Sequence, residues 1–388
     1  MKDKKIIVLL NGETVQALAI GKWLKKEGYT VWSICDDKIT YGYQSPYADM
    51  KFIAPSIHDN PEDFHAYFIK FLNGNRIDGV IPMNDYSASY LASHKDELST
   101  LTQFIIPDWE VFISAYDKNR LMKICRDNEF PHPLTCDLSE TELDSASSYM
   151  RYPALIKPNI TTGGRGFALV HNSEELHEKY PDIRTEYGDC HLQEFIPPGG
   201  RQFKVSLFFN NEKELLNSTV FHKARFYPEN GGSSCCSISV DRPDLVDTCA
   251  KVLHTIGWVG FADFDLIEDP RDGVVKIMEI NPRVPACVKL SLVSGINFAA
   301  NIADMTVGIQ PKVYEYISGK CLRYFALDML WLLYSPNRFK TTPNWFKLFG
   351  KNVFLQDWGG LRPFIIGNLS GLIKQLNPKF RKAKAGLR

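Results

Sequence analysis

Buried strands alternate with helices over the first hundred residues, and this alternation constrains the fold more than any other feature. Residues 5–36 predict a strand, a tight turn, an amphipathic helix and a second strand, and further short strands are predicted at 78–83 and 104–107. Such alternation is typical of a parallel, doubly wound sheet. The dinucleotide pattern G-x-G-x-x-G is absent, because Gly12 stands alone until Gly21. A structural α/β domain is therefore favoured here over a nucleotide site.

Length and composition describe a globular protein with more than one domain. The chain has 388 residues, 44% of them hydrophobic and 23% charged, and its formal net charge is zero. Chains of this length usually form two or three domains. The charge is unevenly distributed, since the segment from Tyr316 to the C-terminus carries 13 Lys or Arg against 2 Asp. A mildly acidic body is thus followed by a strongly basic extension.

Cysteine usage and the apolar segments indicate a cytoplasmic location. The nine cysteines include no C-x-x-C spacing, which argues against a disulfide framework and against a zinc site. The apolar run near the N-terminus has only five residues, too few for the core of a signal peptide. No apolar segment reaches the roughly 18 residues expected of a membrane span. We expect a cytoplasmic protein, with association at the inner face of the membrane as the alternative.

From about residue 114 the pattern changes to strands joined by tight turns. A helix is predicted from Ser114 to the first of the prolines that follow residue 130, then a strand at 154–158 and a glycine-rich loop at 159–167. Two more strands are joined by the turn at 197–200. Strands joined in this way, with separate helices, indicate α+β lobes built on antiparallel sheets.

The most informative stretch is a predicted hairpin that ends in the sequence EINPR. Glu279, Asn281 and Arg283 occupy every second position, and alternate residues of a strand share a face. A three-residue turn at 271–273, with glycine last, would place Asp265 opposite Glu279.

A cluster of carboxylate and amide oxygens at this point suits Mg²⁺. Asp265, Glu279 and Asn281 are the predicted ligands, with Asp263 as a further candidate. Solvated acids on the edge of a hairpin are the alternative, but their convergence ahead of Arg283 favours the metal site.

Two looser patterns predict a nucleotide site. The loop TTGGRG at 161–166 follows a strand that carries Lys157. Glycines let backbone N–H groups close on phosphate oxygens, and the lysine adds positive charge. The P-loop pattern G-x-x-x-x-G-K-[ST] is absent. The extended segment LQEFIPPGG at 192–200 can present its backbone to an adenine edge. Taken alone, an ordinary hairpin explains each pattern equally well.

Taken in order, these motifs resemble the ATP-grasp superfamily, and within it the carbamoyl-phosphate-synthase-like carboxylate–amine ligases. Lys118 is at a helix start, Lys157 precedes the glycine loop, QEFI lies at a hinge, and DFD precedes EINPR by fourteen residues. EINPR fits the E-x-N-P-R hallmark of that family. The resemblance covers roughly residues 1–311. The implied organisation is a Rossmann-like pre-ATP-grasp domain at 1–113, an ATP-grasp domain at 114–311 (small lobe about 114–190, large lobe about 191–311) and a basic, aromatic-rich extension at 312–388.

The resemblance also implies a role for each motif residue. ATP is expected between two α+β lobes with antiparallel sheets. The residues expected to bind it are Lys118, Lys157, Thr162, Gly163, Gly164, Gly166, Gln193, Glu194, Phe195, Ile196 and Gln202. Glu194 is expected to accept a hydrogen bond from the exocyclic amine of adenine. Gln202 stands where the family usually has a ribose-binding glutamate, so the contact there loses its charge assistance. Asp265, Glu279 and Asn281 are expected to hold Mg²⁺, with Mn²⁺ as the alternative metal.

The implied chemistry is the activation of a carboxylate as an acyl phosphate and its transfer to an amine. The residues expected to act in catalysis are Arg283, Lys223 and Arg225, with Arg283 at the transferred phosphate. Lys223, Arg225 and Lys289 suit a substrate carboxylate, with plain surface charge as the alternative. Two other functions stay open: the formation of a carbamoyl or acyl phosphate from a small carboxy compound, and a non-catalytic nucleotide-binding or membrane-tethered module. The expected partners are small-molecule carboxylates and amines and a second copy of the chain.

Residues 312–388 lie outside the resemblance. Leu369, Leu372, Ile373 and Leu376 recur at helical spacing and predict one apolar face. Five cations follow in the last twelve residues, and a basic amphipathic end suits an anionic membrane surface. Packing of the aromatic residues on the main body, followed by a solvated tail, is the alternative. Nucleic-acid binding is disfavoured.

Overall fold

The computed structural model describes residues 4–161, 163–229, 233–346 and 350–376, with the backbone alone at 372 and 374–376. The chain divides into two compact units. Unit 1 comprises residues 1–112, 204–263 and 281–371, and unit 2 comprises residues 113–203, 264–280 and 372–388.

Strands and helices follow one another as the sequence predicts, first in alternation and then as hairpins. The strands are β1 (Ile6–Leu10), β2 (Thr30–Cys35), β3 (Met50–Ile53), β4 (Gly79–Pro82), β5 (Thr135–Asp137), β6 (Ala154–Pro158), β7 (Ala168–Val170), β8 (Cys190–Glu194), β9 (Gln202–Phe209), β10 (Leu215–Tyr227), β11 (Ser233–Val240), β12 (Gly260–Glu268), β13 (Val275–Asn281), β14 (Cys321–Arg323) and β15 (Val353–Leu355). The helices are α1 (Val15–Lys26), α2 (Pro61–Gly74), α3 (Asp85–Ser93), α4 (Lys95–Leu98), α5 (Trp109–Tyr116), α6 (Lys118–Asp127), α7 (Leu143–Tyr149), α8 (Ser173–Tyr187), α9 (Pro243–Ile256), α10 (Lys289–Val293), α11 (Phe298–Thr306), α12 (Phe325–Tyr334) and α13 (Leu361–Leu376).

Unit 1 begins with a parallel sheet in the order β3-β2-β1-β4. Its central strand β1 is almost entirely apolar and buried, as expected of a strand covered on both faces. Leu9, Ile20 and Val31 pack with Phe298 of α11 in one hydrophobic cluster. This confirms the predicted parallel α/β sheet, while its assignment to the Rossmann-like pre-ATP-grasp type stays a prediction.

A second, seven-stranded sheet has the order β13-β12-β9-β10-β11-β14-β15. The boundaries between the two units fall within β9, β12 and β13. In unit 1, β10 pairs antiparallel with β11, β11 antiparallel with β14, and β14 parallel with β15. The α/β plus α+β fold class predicted from the sequence is confirmed.

Unit 2 contains an antiparallel sheet in the order β5-β8-β6-β7. Its apolar face carries Ala154, Ile156, Val170 and Leu192, which pack on Leu176 and other residues of α7 and α8. The opposite face of the same strands is polar, and it is described below.

Three local predictions need correction. The helix predicted from Ser114 is two helices, because Asp117 leaves the helical path and caps α6 by accepting a hydrogen bond from the N–H of Arg120. The strand predicted at 104–107 is wrong; the segment belongs to no sheet. The predicted three-residue turn is a four-residue loop, since Asp269 and Val274 close it and Gly273 adopts a φ of +76°. Within the described ranges, none of the helices has both the length and the apolar character that a membrane crossing needs.

Candidate active site

The polar face of the small sheet in unit 2 brings together side chains from three strands. Strand register pairs His191 of β8 with Lys157 of β6, and Gln193 of β8 with Thr135 of β5. Residues directly opposite in an antiparallel pair lie on the same face. All four side chains are at least 93% buried. A buried, polar sheet face is costly unless its groups find partners.

Lys157 is the central cation of this face. Its Nζ donates to Oε1 of Gln193 at 2.6 Å, and the Gln193 amide donates in turn to Oγ1 of Thr135 at 3.1 Å. The pKa of Lys157 is lowered from 10.5 to about 8, chiefly by burial and also by the nearby Lys118, while Glu279 acts in the opposite direction. Because the hydrogen-bond partner of the Lys157 ammonium is a neutral amide, this hydrogen bond does not neutralise the positive charge of Lys157.

Lys118 and Glu279 stand beside this cation. Lys118 is the first residue of α6, as predicted, and it is only 6% exposed. Its Nζ lies 3.6 Å from the Glu279 carboxylate and donates to the carbonyl oxygen of Thr161 at 2.9 Å. Two buried lysines thus adjoin one carboxylate and the entrance to the glycine loop. This excess of positive charge fits a polyphosphate.

His191 was not identified from the sequence. It is fully buried, and its Nδ1 lies 2.9 Å from Oδ1 of Asn159. Burial lowers the pKa of His191 well below its usual value, and Lys157 and Lys118 lower it further. The imidazole is therefore neutral beside the lysines. One sequence signal could have indicated His191: in the buried strand CHLQE, His191 and Gln193 place a polar residue at alternate positions.

The glycine loop adopts a backbone conformation that glycine favours over other residues. Gly163, Gly164 and Gly166 have φ angles of +68°, +74° and +73°, in the left-handed region that favours glycine. A Cβ at Gly166 would lie 2.8 Å from atoms of both Pro158 and Tyr187, whereas one at Gly163 would meet nothing within 4 Å. The loop is thus tightly packed at its end and open at its tip. Thr162 lies outside the described residues.

The hinge segment is held by an ionic network. Glu194 accepts hydrogen bonds from the N–H of Leu134 at 3.0 Å, from Lys276 at 3.1 Å and from Arg271 at 3.0 Å. Asp269 accepts from the same two cations. Two cations and a backbone N–H thus already occupy the Glu194 carboxylate, and its predicted contact with adenine stays a prediction. Phe195 and Ile196 are half-buried.

Glu279 and Asn281 lie two residues apart on β13, and Asp265 lies on β12. Asn281 donates to the carbonyl oxygen of Asp263 at 3.4 Å and accepts from Arg283 at 3.1 Å. The Asp263 carboxylate is fully buried and bound by Lys204 at 2.5 Å and Ser206 at 2.7 Å. Because these two side chains already bind its carboxylate, Asp263 is not retained as a candidate metal ligand.

Arg283 makes a two-point contact in unit 1. Its Nε and Nη2 lie 3.1 Å from the two carboxylate oxygens of Asp85, the first residue of α3. This fixes the guanidinium near the end of the parallel sheet.

Comparison with known proteins agrees with this arrangement. The ATP-grasp domain family model matches residues 115–287, the stretch that contains both lysines, the glycine loop and the predicted metal ligands. This stretch of the chain is similar to the ATP-grasp domain. A D-aspartate ligase of Enterococcus faecium is 25% identical over 60% of this chain and 60% of that protein. The large chain of carbamoyl phosphate synthase from Methanoregula boonei is 22% identical over 79% of this chain and 30% of that protein. The chain thus spans less than two thirds of the length of either relative.

A solved structure shows the same fold. The biotin carboxylase domain dimer of 2-oxoglutarate carboxylase from Hydrogenobacter thermophilus, in complex with MgADP, ADP and bicarbonate, matches with a TM-score of 0.68 and 17% identity. The match covers 81% of this chain and 72% of that one. The resemblance to ATP-grasp proteins inferred from EINPR and its companion motifs is confirmed.

Two of the predicted substrate cations are engaged by other residues of their own chain. Arg225 is 2% exposed and forms a two-point ion pair with Asp328, with Nε to Oδ1 at 2.9 Å and Nη2 to Oδ2 at 3.0 Å. Lys289 donates to the carbonyl oxygens of Leu355 and Trp358 at 2.6 and 2.9 Å. Both are bound by their own chain, so we leave them out of the catalytic set. Lys223 is half-buried and stays a candidate, and Gln202, the first residue of β9, remains the predicted ribose ligand.

Proposed function

We propose that the protein is an ATP- and Mg²⁺-dependent ligase that activates a carboxylate as an acyl phosphate and joins it to an amine. The observation that carries this proposal is the pair of buried lysines, Lys118 and Lys157, beside Glu279 and the glycine loop. A polyphosphate would supply the negative charge needed to balance the two lysines beside the single carboxylate of Glu279. Lys157 can bind it because its present partner, the Gln193 amide, is neutral. The names of the relatives, which include a D-aspartate ligase, support the same class of reaction.

The donor set fits a magnesium ion. Carboxylate and amide oxygens from Asp265, Glu279 and Asn281 are ligands that Mg²⁺ accepts, with phosphate and water completing its shell. When bound there, Mg²⁺ neutralises phosphate charge and orients the transferred group. The residues of the chain then have defined tasks: Lys118 and Lys157 hold phosphate oxygens, the glycine loop covers them with backbone N–H groups, and Arg283 orients the phosphoryl group.

The proposed reaction has two steps. In the first, a carboxylate oxygen of the substrate bonds to the γ-phosphorus as the bond to the β,γ-bridging oxygen breaks, which gives an acyl phosphate and ADP. In the second, the amine nitrogen bonds to the acyl carbon, phosphate leaves with the oxygen of the broken C–O bond, and the nitrogen loses a proton. Positioning and charge neutralisation do most of the catalytic work in phosphoryl transfer.

Thermal unfolding with ADP or a non-hydrolysable ATP analogue, with and without Mg²⁺, tests the nucleotide site. A ligand at a hundredfold excess over its dissociation constant stabilises the folded state by about 2.7 kcal/mol. We expect a Mg²⁺-dependent rise of the midpoint. Phosphate release with panels of carboxylates and amines then tests turnover. Nucleotide binding without any phosphate release would instead favour a non-catalytic module, and no stabilisation at saturating nucleotide would refute the site.

We also propose that helix α13 contacts an anionic membrane surface. Leu361, Ile365, Leu369 and Ile373 follow one another at four-residue spacing, and each is between 47 and 67% exposed. Half of the twenty exposed large apolar side chains found in the described ranges lie between residues 325 and 373. From residue 361 to the C-terminus the sequence has seven cations and no Asp or Glu. The predicted cations of the last twelve residues lie outside the described residues.

Vesicle sedimentation tests this surface. We expect binding to phosphatidylcholine vesicles that contain phosphatidylglycerol and little binding to phosphatidylcholine alone. Ile365→Ser and Leu369→Ser should each weaken it about tenfold, because burying one such side chain is worth about 1.5–3 kcal/mol. Ile39→Ser, at an exposed apolar residue elsewhere, is the control. Binding that ignores lipid charge, or that survives both changes, would contradict the proposal.

A further inference from the structure

Two cysteines on neighbouring strands of unit 1 have their sulfur atoms in contact. Sγ of Cys236, on β11, lies 3.5 Å from Sγ of Cys321, on β14, although the two residues are 85 positions apart in the chain. In the antiparallel register Cys236 pairs with Arg323, and Cys321 pairs with Ile238. The two cysteines are therefore diagonal neighbours on one face of the sheet. The proposed ligase reaction uses neither of them.

Two buried arginines lie beside this pair of cysteines. Strand register places Arg225 of β10 on one side of Cys236 and Arg323 of β14 on the other. The two guanidinium groups share the carboxylate of Asp328, at 2.9 Å from Arg225 and at 2.5 Å from Arg323. All of these residues, Cys321 included, are at least 93% buried. Fixed positive charge beside a buried sulfur favours the thiolate over the thiol.

The contact between the sulfurs makes one thiol the donor and the other the acceptor. The hydrogen bond with Cys236 lowers the pKa of Cys321. The charges of the two arginines lower this pKa further, while burial acts in the opposite direction. The same hydrogen bond, together with burial, raises the pKa of Cys236 well above its ordinary value. Cys236 therefore donates to Cys321, and Cys321 is the sulfur that attacks an oxidant first, because the thiolate is the reactive form.

We propose that Cys236 and Cys321 form an oxidation site, at which a hydroperoxide converts the two thiols into a disulfide. In the first step the Cys321 sulfur bonds to a peroxide oxygen and the O–O bond breaks. The leaving oxygen takes a proton, which gives a sulfenic acid on Cys321 and water or an alcohol. In the second step the Cys236 sulfur bonds to the Cys321 sulfur, the S–O bond breaks, and the hydroxyl group leaves with the Cys236 proton as water. Two electrons pass from the sulfurs to the peroxide.

This disulfide would fasten the C-terminal extension to the seven-stranded sheet. Strand β11 lies within the stretch that matches the ATP-grasp domain, and β14 lies in the extension beyond it. The sulfurs must approach each other by about 1.5 Å from the observed contact to reach bonding distance. Strands β14 and β15 have only three residues each, so the ladder that must shift is short. Diagonal neighbours are farther apart than opposite ones, and a disulfide formed under strain is more easily reduced.

The test treats the folded full chain with stoichiometric hydrogen peroxide. After denaturation, the number of titratable thiols should fall by two from the nine of the sequence. Proteolysis without reductant, followed by mass spectrometry, should recover the peptides of residues 236 and 321 joined to each other. Their joint mass should be lower by that of the two thiol hydrogens, and dithiothreitol added to the folded protein should separate them.

Three serine variants identify the two sulfurs and the order of the steps. Cys321→Ser should abolish both the cross-link and the sulfenic acid. Cys236→Ser should abolish the cross-link but leave a sulfenic acid on Cys321, which dimedone labels. Cys235→Ser, at the adjacent buried thiol, is the matched control and should form the cross-link as the unmodified protein does.

The inference is overturned if all nine thiols remain titratable after peroxide treatment, if Cys321→Ser still forms the cross-link, or if Cys235→Ser prevents it. Dimedone labelling of Cys321→Ser as strong as that of Cys236→Ser would equally overturn the order of the two steps. These measurements need neither nucleotide nor Mg²⁺, so their outcome is independent of the proposed ligase function.

Discussion

Replacement of Lys157 by methionine should stabilise the free protein and weaken its binding of nucleotide. Burial lowers the pKa of Lys157 from 10.5 to about 8, and a difference of this size corresponds to about 3 kcal/mol of unfavourable free energy for the protonated form in the folded state. Methionine has a similar length and no charge. The gain is reduced by about 1–3 kcal/mol, because the Gln193 amide oxygen then loses its donor. The net change in the free energy of unfolding is expected between zero and about 2 kcal/mol in favour of the variant.

The pH dependence separates this explanation from simple repacking. The folded state has the lower pKa, so the unfolded chain binds more protons between pH 8 and 10.5 and stability rises with pH in that window. The penalty is fully present below about pH 8 and disappears above about 10.5. Lys157→Met lacks this titration. The difference in unfolding free energy between variant and unmodified protein should therefore shrink as pH rises from 8 to 10.

Chemical denaturation at pH 7, 8, 9 and 10, together with nucleotide titration at pH 7, measures both effects. Loss of a charge-assisted hydrogen bond to phosphate should lower nucleotide affinity about tenfold to a hundredfold. Lys70→Met, at an exposed position of α2, is the control for a general effect of removing a lysine. The reasoning is refuted if Lys157→Met destabilises the protein at pH 7, or if it leaves nucleotide affinity unchanged.

Three further changes test other parts of the structure. Glu279→Gln should abolish the Mg²⁺-dependent part of the nucleotide-induced midpoint shift, while the exposed Glu140→Gln leaves it intact; equal shifts in both would remove Glu279 from the metal set. Gly163→Ala should destabilise unit 2 by roughly 1–2 kcal/mol, the cost of a left-handed backbone at alanine. Gly166→Ala should destabilise it by more, because a Cβ at residue 166 also meets Pro158 and Tyr187. Equal unfolding midpoints of the two variants would show that the loop adapts. Asp328→Asn should lower the free energy of unfolding by about 3–5 kcal/mol, because it leaves Arg225 buried without its charge partner. Nucleotide affinity should be unchanged. A loss of nucleotide affinity would make Arg225 a candidate active-site residue again.

The sequence by itself determined the class of the fold and the motifs of the proposed nucleotide site. Period-two and period-3.6 apolar patterns report burial directly, because they depend on the geometry of single strands and helices. EINPR is equally local, since its alternating Glu279 and Asn281 share one strand. The left-handed glycines of the 163–166 loop follow from glycine itself.

Only the tertiary structure decided which polar residues are already paired. Arg225 and Asp328 are 103 residues apart in the chain, and no local pattern predicts their ion pair. The same holds for Glu194 with Lys276 and for Lys204 with Asp263. A cation in a sequence looks equally available whether or not an acid folds against it. Burial and register, which depend on the whole chain, separate the lysines beside Glu279 from the cations that only hold the fold together.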